Sequence, residues 1–118
     1  MTRVLYVDDE PDIREIAEMS LSLDPGFDVR TAGSGAEALD LAAQWRPDII
    51  LLDVMMPVTD GPAVLARLRE LGSATPVVFV TARAQRSEIQ SFATLDAKGV
   101  IAKPFDPVSL AAQVRAFL

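Results

Sequence analysis

A chain of 118 residues, half of them hydrophobic and about a quarter charged, can bury one substantial core and belongs with folded rather than disordered sequences. Its formal charge of −6 argues against a free-standing nucleic-acid binder and suits a site that gathers cations, while the absence of Cys and His rules out disulfides, thiolate metal centres and imidazole catalysis. No run of about 18 apolar residues is present to span a bilayer, and Met1-Thr2-Arg3 leads straight into a strand-like run with no signal-peptide core, so one cytoplasmic domain over residues 1–118 without a membrane partner is expected.

Val4 to Val7 is a β-prone run, followed at once by Asp8-Asp9-Glu10-Pro11. Three acids and a proline mark a helix start, because acids favour the N-terminal dipole and proline fits the first turn. Ile13, Ile16, Ala17, Ser20 and Leu23, with Met19 at the margin, give this helix its predicted apolar face. Asp24-Pro25-Gly26 ends it. Phe27 to Thr31 alternates as a second strand, and Gly33-Ser34-Gly35 opens a second helix with Ser34 as its cap and Ala38, Leu39, Ala42 and Trp45 along one side. Arg46-Pro47 breaks it.

Ile49 to Leu52 is an unbroken apolar run, long enough for a strand and too short for a helix, as in a strand covered on both faces. Asp53 stands at its end, and Pro57 forbids regular continuation. Asp60 is the predicted cap of a third helix lined by Val64, Leu65, Leu68 and Leu71, which stops at Gly72 in a left-handed conformation. Pro76 to Val80 is a fourth strand ending at Thr81. Gln85 to Leu95 is a weakly amphipathic helix, Gly99 to Ala102 a short fifth strand closed by Lys103-Pro104-Phe105, and Asp106-Pro107 opens a last helix carrying Val108, Leu110, Ala111, Val114 and Phe117. Strands alternating with helices through short connections predict a doubly wound α/β domain, since parallel neighbours need crossover helices.

In such a sheet, chemistry collects beyond the carboxyl ends of the strands. There stand Asp8 and Asp9 after the first strand, Asp53 after the third, Thr81 after the fourth and Lys103 after the fifth. Each has a plainer reading: helix caps for Asp8, Asp9 and Thr81, a loop acid or cap for Asp53, a solvated surface lysine for Lys103. Their shared end of the sheet is what those readings leave unexplained. Converging carboxylates repel, at about 4 kcal/mol per ionised pair ~4 Å apart for an effective dielectric of about 20. A hard divalent ion with oxygen ligands, Mg²⁺ above all, resolves this. A carboxylate nucleophile, a metal, an ammonium and a hydroxyl together are the parts for phosphoryl transfer.

With those residues in view, the chain resembles the receiver domains of two-component response regulators. The resemblance rests on Val7 to Glu10 (VDDE), Leu51 to Pro57 (LLDVMMP), Asp60-Gly61, Val80 to Arg83 (VTAR) and Lys103 to Phe105 (KPF), in that family's order across essentially the whole chain. It implies a flavodoxin-like fold with five parallel strands in the order 2-1-3-4-5 and five helices. It implies Asp53 as phosphoacceptor, Asp9 as a direct Mg²⁺ ligand (Mn²⁺ being the alternative ion), Asp8 acting largely through water, and further ligation by Asp53 and the Met55 carbonyl. Lys103 would pair with phosphoryl oxygens, Thr81 would turn its hydroxyl to them, and the Lys103-Pro104 bond would be cis. The implied donor is a phosphohistidine on a histidine kinase or phosphotransfer protein. The implied output is a downstream protein bound through the fourth helix, fifth strand and fifth helix, with no direct nucleic-acid contact. Such a chain is a signalling phosphoacceptor, not an enzyme, limited to Mg²⁺-dependent self-phosphorylation and slow self-dephosphorylation.

Two positions depart from the family pattern. Val100 stands where many receivers carry the aromatic residue of their switch, and Asp96 stands where a glycine is frequent. Met55 and Arg83 are the variable neighbours expected to crowd the approach of water and slow hydrolysis. A haloacid-dehalogenase-type phosphatase would need an acid where Met55 stands, and an FMN binder would need hydroxyls where Asp8 and Asp9 stand. The alternative function is a degenerate receiver that docks proteins without phosphorylation.

Overall fold

The computed structural model describes residues 1–82 and 96–118. Its five strands are β1 (Thr2–Val7), β2 (Phe27–Ala32), β3 (Ile49–Asp53), β4 (Val77–Thr81) and β5 (Gly99–Ala102), all parallel and ordered β2-β1-β3-β4-β5. Among the described residues the helices are α1 (Pro11–Leu21), α2 (Gly35–Gln44), α3 (Gly61–Glu70) and α4 (Leu110–Arg115). The helix expected over Gln85 to Leu95 lies outside the described residues. The fold class and strand order are those expected.

Strand alternation sorts the core into two layers. Val4, Tyr6, Ile49, Leu51, Val78 and Val80 face Ala17 and Leu21 of α1 and Leu110 and Val114 of α4. Leu5, Val7, Ile50, Leu52, Val77 and Phe79 face Ala38 of α2 and Val64, Leu65 and Leu68 of α3. All residues of β3 and β4 are buried, as a strand covered on both faces requires.

The caps follow local chemistry. Ser34 Oγ accepts from Glu37 N–H at 3.2 Å, and Asp60 Oδ1 accepts from Ala63 N–H at 2.9 Å. Gly72, at φ 84°, ends α3 in the predicted left-handed conformation.

Three details differ from the sequence reading. In α1 the buried residues are Ala17, Ser20 and Leu21, whereas Ile16 and Met19 are exposed, and Leu23, also exposed, lies past the end of the helix. The apolar stripe is therefore wider than the face the sheet covers. Ser20 is tolerated inside because its hydroxyl donates to the Ile16 carbonyl at 2.7 Å. The last helix begins at Leu110, later than predicted: Asp106 Oδ1 accepts from Val108 N–H at 2.9 Å in a preceding turn, leaving Val108 exposed. Asp96 adopts φ 65° and so supplies without glycine the backbone that glycine would allow. Its carboxylate accepts from Arg69 Nε at 2.8 Å, while Arg69 Nη1 donates to the Ser73 and Thr75 carbonyls at 3.0 and 2.9 Å.

Candidate functional site

The carboxyl ends of β1 and β3, which pair directly, bring Asp8, Asp9 and Asp53 together, with one oxygen from each lying within 4.8 Å of the others. Asp8 is fully buried, Asp53 is 4 % exposed, and Asp9 is half-buried. Lys103, just past β5, spans two of them: Nζ is 2.6 Å from Asp8 Oδ2 and 3.2 Å from Asp53 Oδ1. The plainer reading of Lys103 as a surface lysine is thereby overturned, since its side chain is only 15 % exposed.

The electrostatics follow from this crowding. Burial, reinforced by the negative charge of Asp8, pushes the Asp53 carboxyl up to about 6 against the opposing pull of Lys103. Burial opposes the charge on Lys103, yet the hydrogen bond and charge of Asp8, joined by Asp53, raise its pKa above the ordinary lysine value. The ammonium is therefore held as a cation between two carboxylates.

Asp8 has a partner on each oxygen. Oδ2 accepts from the Tyr6 hydroxyl at 3.0 Å as well as from Lys103, and Oδ1 accepts from Glu10 N–H at 3.0 Å, ahead of α1. The Asp8 carbonyl accepts from Arg14 Nη1 at 2.8 Å. Asp8 does not cap α1, whose cap is Glu10 without a side-chain cap hydrogen bond; it accepts the Glu10 N–H ahead of the helix and joins the acid cluster. Asp53 Oδ1 also meets Met55 N–H at 3.4 Å, while the Met55 side chain is exposed. Thr81 ends β4 buried, and its carbonyl accepts from Lys103 N–H at 2.8 Å. The Lys103-Pro104 peptide is cis, as expected. Val100 is partly buried and packs on the α2–α3 side of the sheet. Arg83 lies outside the described residues.

Two contributors were not singled out from the sequence. Tyr6 read only as a β-prone residue, although its spacing of two from Asp8 places both side chains on one face of the strand. Burial and the charge of Asp8 raise its phenol far above the ordinary tyrosine value, so the hydroxyl remains a donor. Gly61, read as half of a family motif, lies against the backbone of Asp53: a Cβ there would stand 2.6 Å from the Asp53 carbonyl oxygen.

Comparison with known proteins agrees with this geometry. Residues 4–115 match the model of the response regulator receiver domain. Response regulator MprA of Mycobacterium sp. strain KMS is 43 % identical over 116 residues, covering 98 % of this chain and 50 % of that protein; MprA of Mycobacterium leprae is 41 % identical over the same shares. The chain spans about half the length of these relatives. Among solved structures, chemotaxis protein CheY4 of Vibrio cholerae superposes with a TM-score of 0.91 at 34 % identity, covering 100 % of this chain and 99 % of that one. The signal receiver domain of the response regulator NarL from Mycobacterium tuberculosis gives 0.88 at 31 % identity, covering 98 % and 94 %. The chain belongs to the response regulator receiver domains, the signal-receiving modules of two-component systems.

Proposed function

We propose that this chain accepts a phosphoryl group on Asp53 in a Mg²⁺-dependent reaction and relays the change to a protein partner. The observation that carries this reading is Lys103 Nζ, 2.6 Å from Asp8 and 3.2 Å from Asp53, within a cluster of three carboxylates at the strand ends. Nothing in a scaffold needs such a cluster, whose members raise one another's cost of ionisation.

The donor set fits a hard divalent cation: oxygen atoms only, with carboxylates close enough to share one ion. Asp9, Asp53 and the Met55 carbonyl would hold Mg²⁺ or Mn²⁺. Asp8, whose oxygens already have protein donors, would act through water. The bound ion supplies neutralisation of charge on the carboxylates and on the transferring phosphoryl oxygens.

This chain's residues do the rest. An ionised Asp53 oxygen attacks phosphorus in line; the new O–P bond forms as the bond from phosphorus to the donor's histidine nitrogen breaks, and the imidazole leaves with the electron pair. Lys103 turns its ammonium to the phosphoryl oxygens, and Thr81 adds its hydroxyl. Met55, exposed two residues after Asp53, crowds the approach of hydrolytic water. The donor is a phosphohistidine on a histidine kinase or phosphotransfer protein, and the output is a change in affinity for a downstream protein.

Incubation with Mg²⁺ and a small acyl phosphate, followed by intact mass, tests the reading. One added phosphoryl group in the wild type and none in Asp53→Asn is the expected result. No addition from any donor would leave the phosphorylation-independent docking module as the better account.

A further inference from the structure

We propose that Tyr6 is a positioning residue of this site, whose hydroxyl keeps Asp8 Oδ2 hydrogen-bonded when Lys103 leaves that oxygen for the phosphoryl group on Asp53. The inference rests on Asp53 being the phosphoacceptor and adds the device that lets Lys103 move.

Among the described residues, Asp8 Oδ2 has two donors, the Tyr6 hydroxyl at 3.0 Å and Lys103 Nζ at 2.6 Å, inside a residue with no exposed surface. Lys103 is thus held more closely by Asp8 than by Asp53, where it lies at 3.2 Å. A phosphoryl group on Asp53 competes with Asp8 for the three N–H donors of the ammonium and draws it away from Asp8 Oδ2. A buried carboxylate oxygen left with no protein donor is strongly disfavoured, which would hold Lys103 back. Tyr6 removes that restraint, because Oδ2 retains a donor throughout.

The ring is fixed for this duty. Tyr6 is fully buried in the layer formed with α1 and α4. It also meets Phe105 edge-on, with centroids 6.2 Å apart and planes at 75°. Phe105 follows the Lys103-Pro104 segment directly, so one residue braces both the acceptor of Lys103 and the loop that carries it.

Tyr6→Phe preserves ring and packing and deletes the hydroxyl alone. Phosphoryl uptake from a small acyl phosphate is expected to slow by about tenfold, the equivalent of one hydrogen bond to a buried charged group. A second readout needs no variant. Tyr6 is the sole tyrosine of the chain, and the sole tryptophan, Trp45, lies against Arg3 near the start of β1, away from the acid cluster. The wild-type near-UV tyrosine band should shift to the red when Mg²⁺ and beryllofluoride, a phosphoryl mimic, are added together, since Tyr6 then becomes the main donor to Asp8 Oδ2. Mg²⁺ alone should produce a smaller shift. Wild-type phosphorylation with an unchanged rate in Tyr6→Phe, or with no tyrosine shift, overturns the role of Tyr6 alone. A wild-type chain that takes up no phosphoryl group overturns the phosphoacceptor reading and this inference with it.

Discussion

Gly61 stands directly against Asp53: a Cβ at position 61 would lie 2.6 Å from the Asp53 carbonyl oxygen and 3.0 Å from Val54 Cα. Both atoms are backbone, so neither can swing aside. The contact is held by Gly61 N–H donating to the Val54 carbonyl at 3.0 Å.

Gly61→Ala should therefore destabilise the chain by about 1–3 kcal/mol, the usual cost of overpacking, despite alanine's better helix propensity at the start of α3. Urea unfolding measures this. Because the displaced backbone carries Asp53, phosphoryl uptake should fall as well. Stability equal to wild type would mean that the loop relaxes freely and that the close approach is unimportant.

Without metal, the contribution of Asp53 to stability should fall as pH rises from about 4 to about 6. The folded Asp53 carboxyl is raised to about 6 from an unfolded value of 3.8, so the folded state binds the proton more tightly across that window. The favourable contribution is full below the unfolded value and lost as pH climbs through the folded one. Asp53→Asn has no such group. Its stability relative to wild type should rise by about 1 kcal/mol between pH 5 and pH 7 in EDTA, as read from denaturation midpoints. A constant difference between the two proteins would contradict the raised carboxyl.

Mg²⁺ should reverse that penalty at neutral pH. A ligand at a hundred times its Kd stabilises the folded state by about 2.7 kcal/mol, so the wild-type midpoint should climb with added Mg²⁺. Asp9→Asn should respond far less, because it removes the most accessible of the three acids. Equal midpoint shifts in both proteins would assign the effect to general ionic screening.

Arg69→Ala should cost about 1–2 kcal/mol through lost hydrogen bonds. The guanidinium fastens the Ser73 and Thr75 carbonyls and the Asp96 carboxylate, tying the turn before β4 to the turn before β5. Thermal unfolding together with Arg69→Lys separates charge from fork geometry; only the arginine can satisfy all three acceptors. Full stability in Arg69→Ala would show that the turns hold without it.

Much of this was legible in the residues because the signals are short-range. Ile49 to Leu52 announces a buried central strand, Ser34 and Asp60 announce caps, and acids or a lysine at successive strand ends announce a shared crevice once the strands are parallel. What was not legible depends on three-dimensional neighbours. Ile16 and Met19 continue the helical stripe of α1, and Leu23 keeps its spacing past the helix end, but sheet width decides which apolar residues are covered. Val108 fits the spacing of the last helix, yet the Asp106 turn delays that helix. Tyr6 gave no sign of chemistry because a phenol in a strand is ordinarily core, and its role emerges only when Asp8 is seen to be buried.

The strand order places the two halves of the site in mechanically unequal parts of the sheet. Asp53 ends β3, with β1 on one side and β4 on the other, whereas Lys103 follows β5, a four-residue strand at the sheet's margin. Amide hydrogen exchange in β3 should accordingly require global opening, while β5 can fray by itself. A phosphoryl group on Asp53 gripped by Lys103 would stitch the margin to the centre, so protection should rise in β5 and remain unchanged in β3. Chemistry at that one carboxylate would thus be felt as a change in how far the sheet's cooperative unit extends.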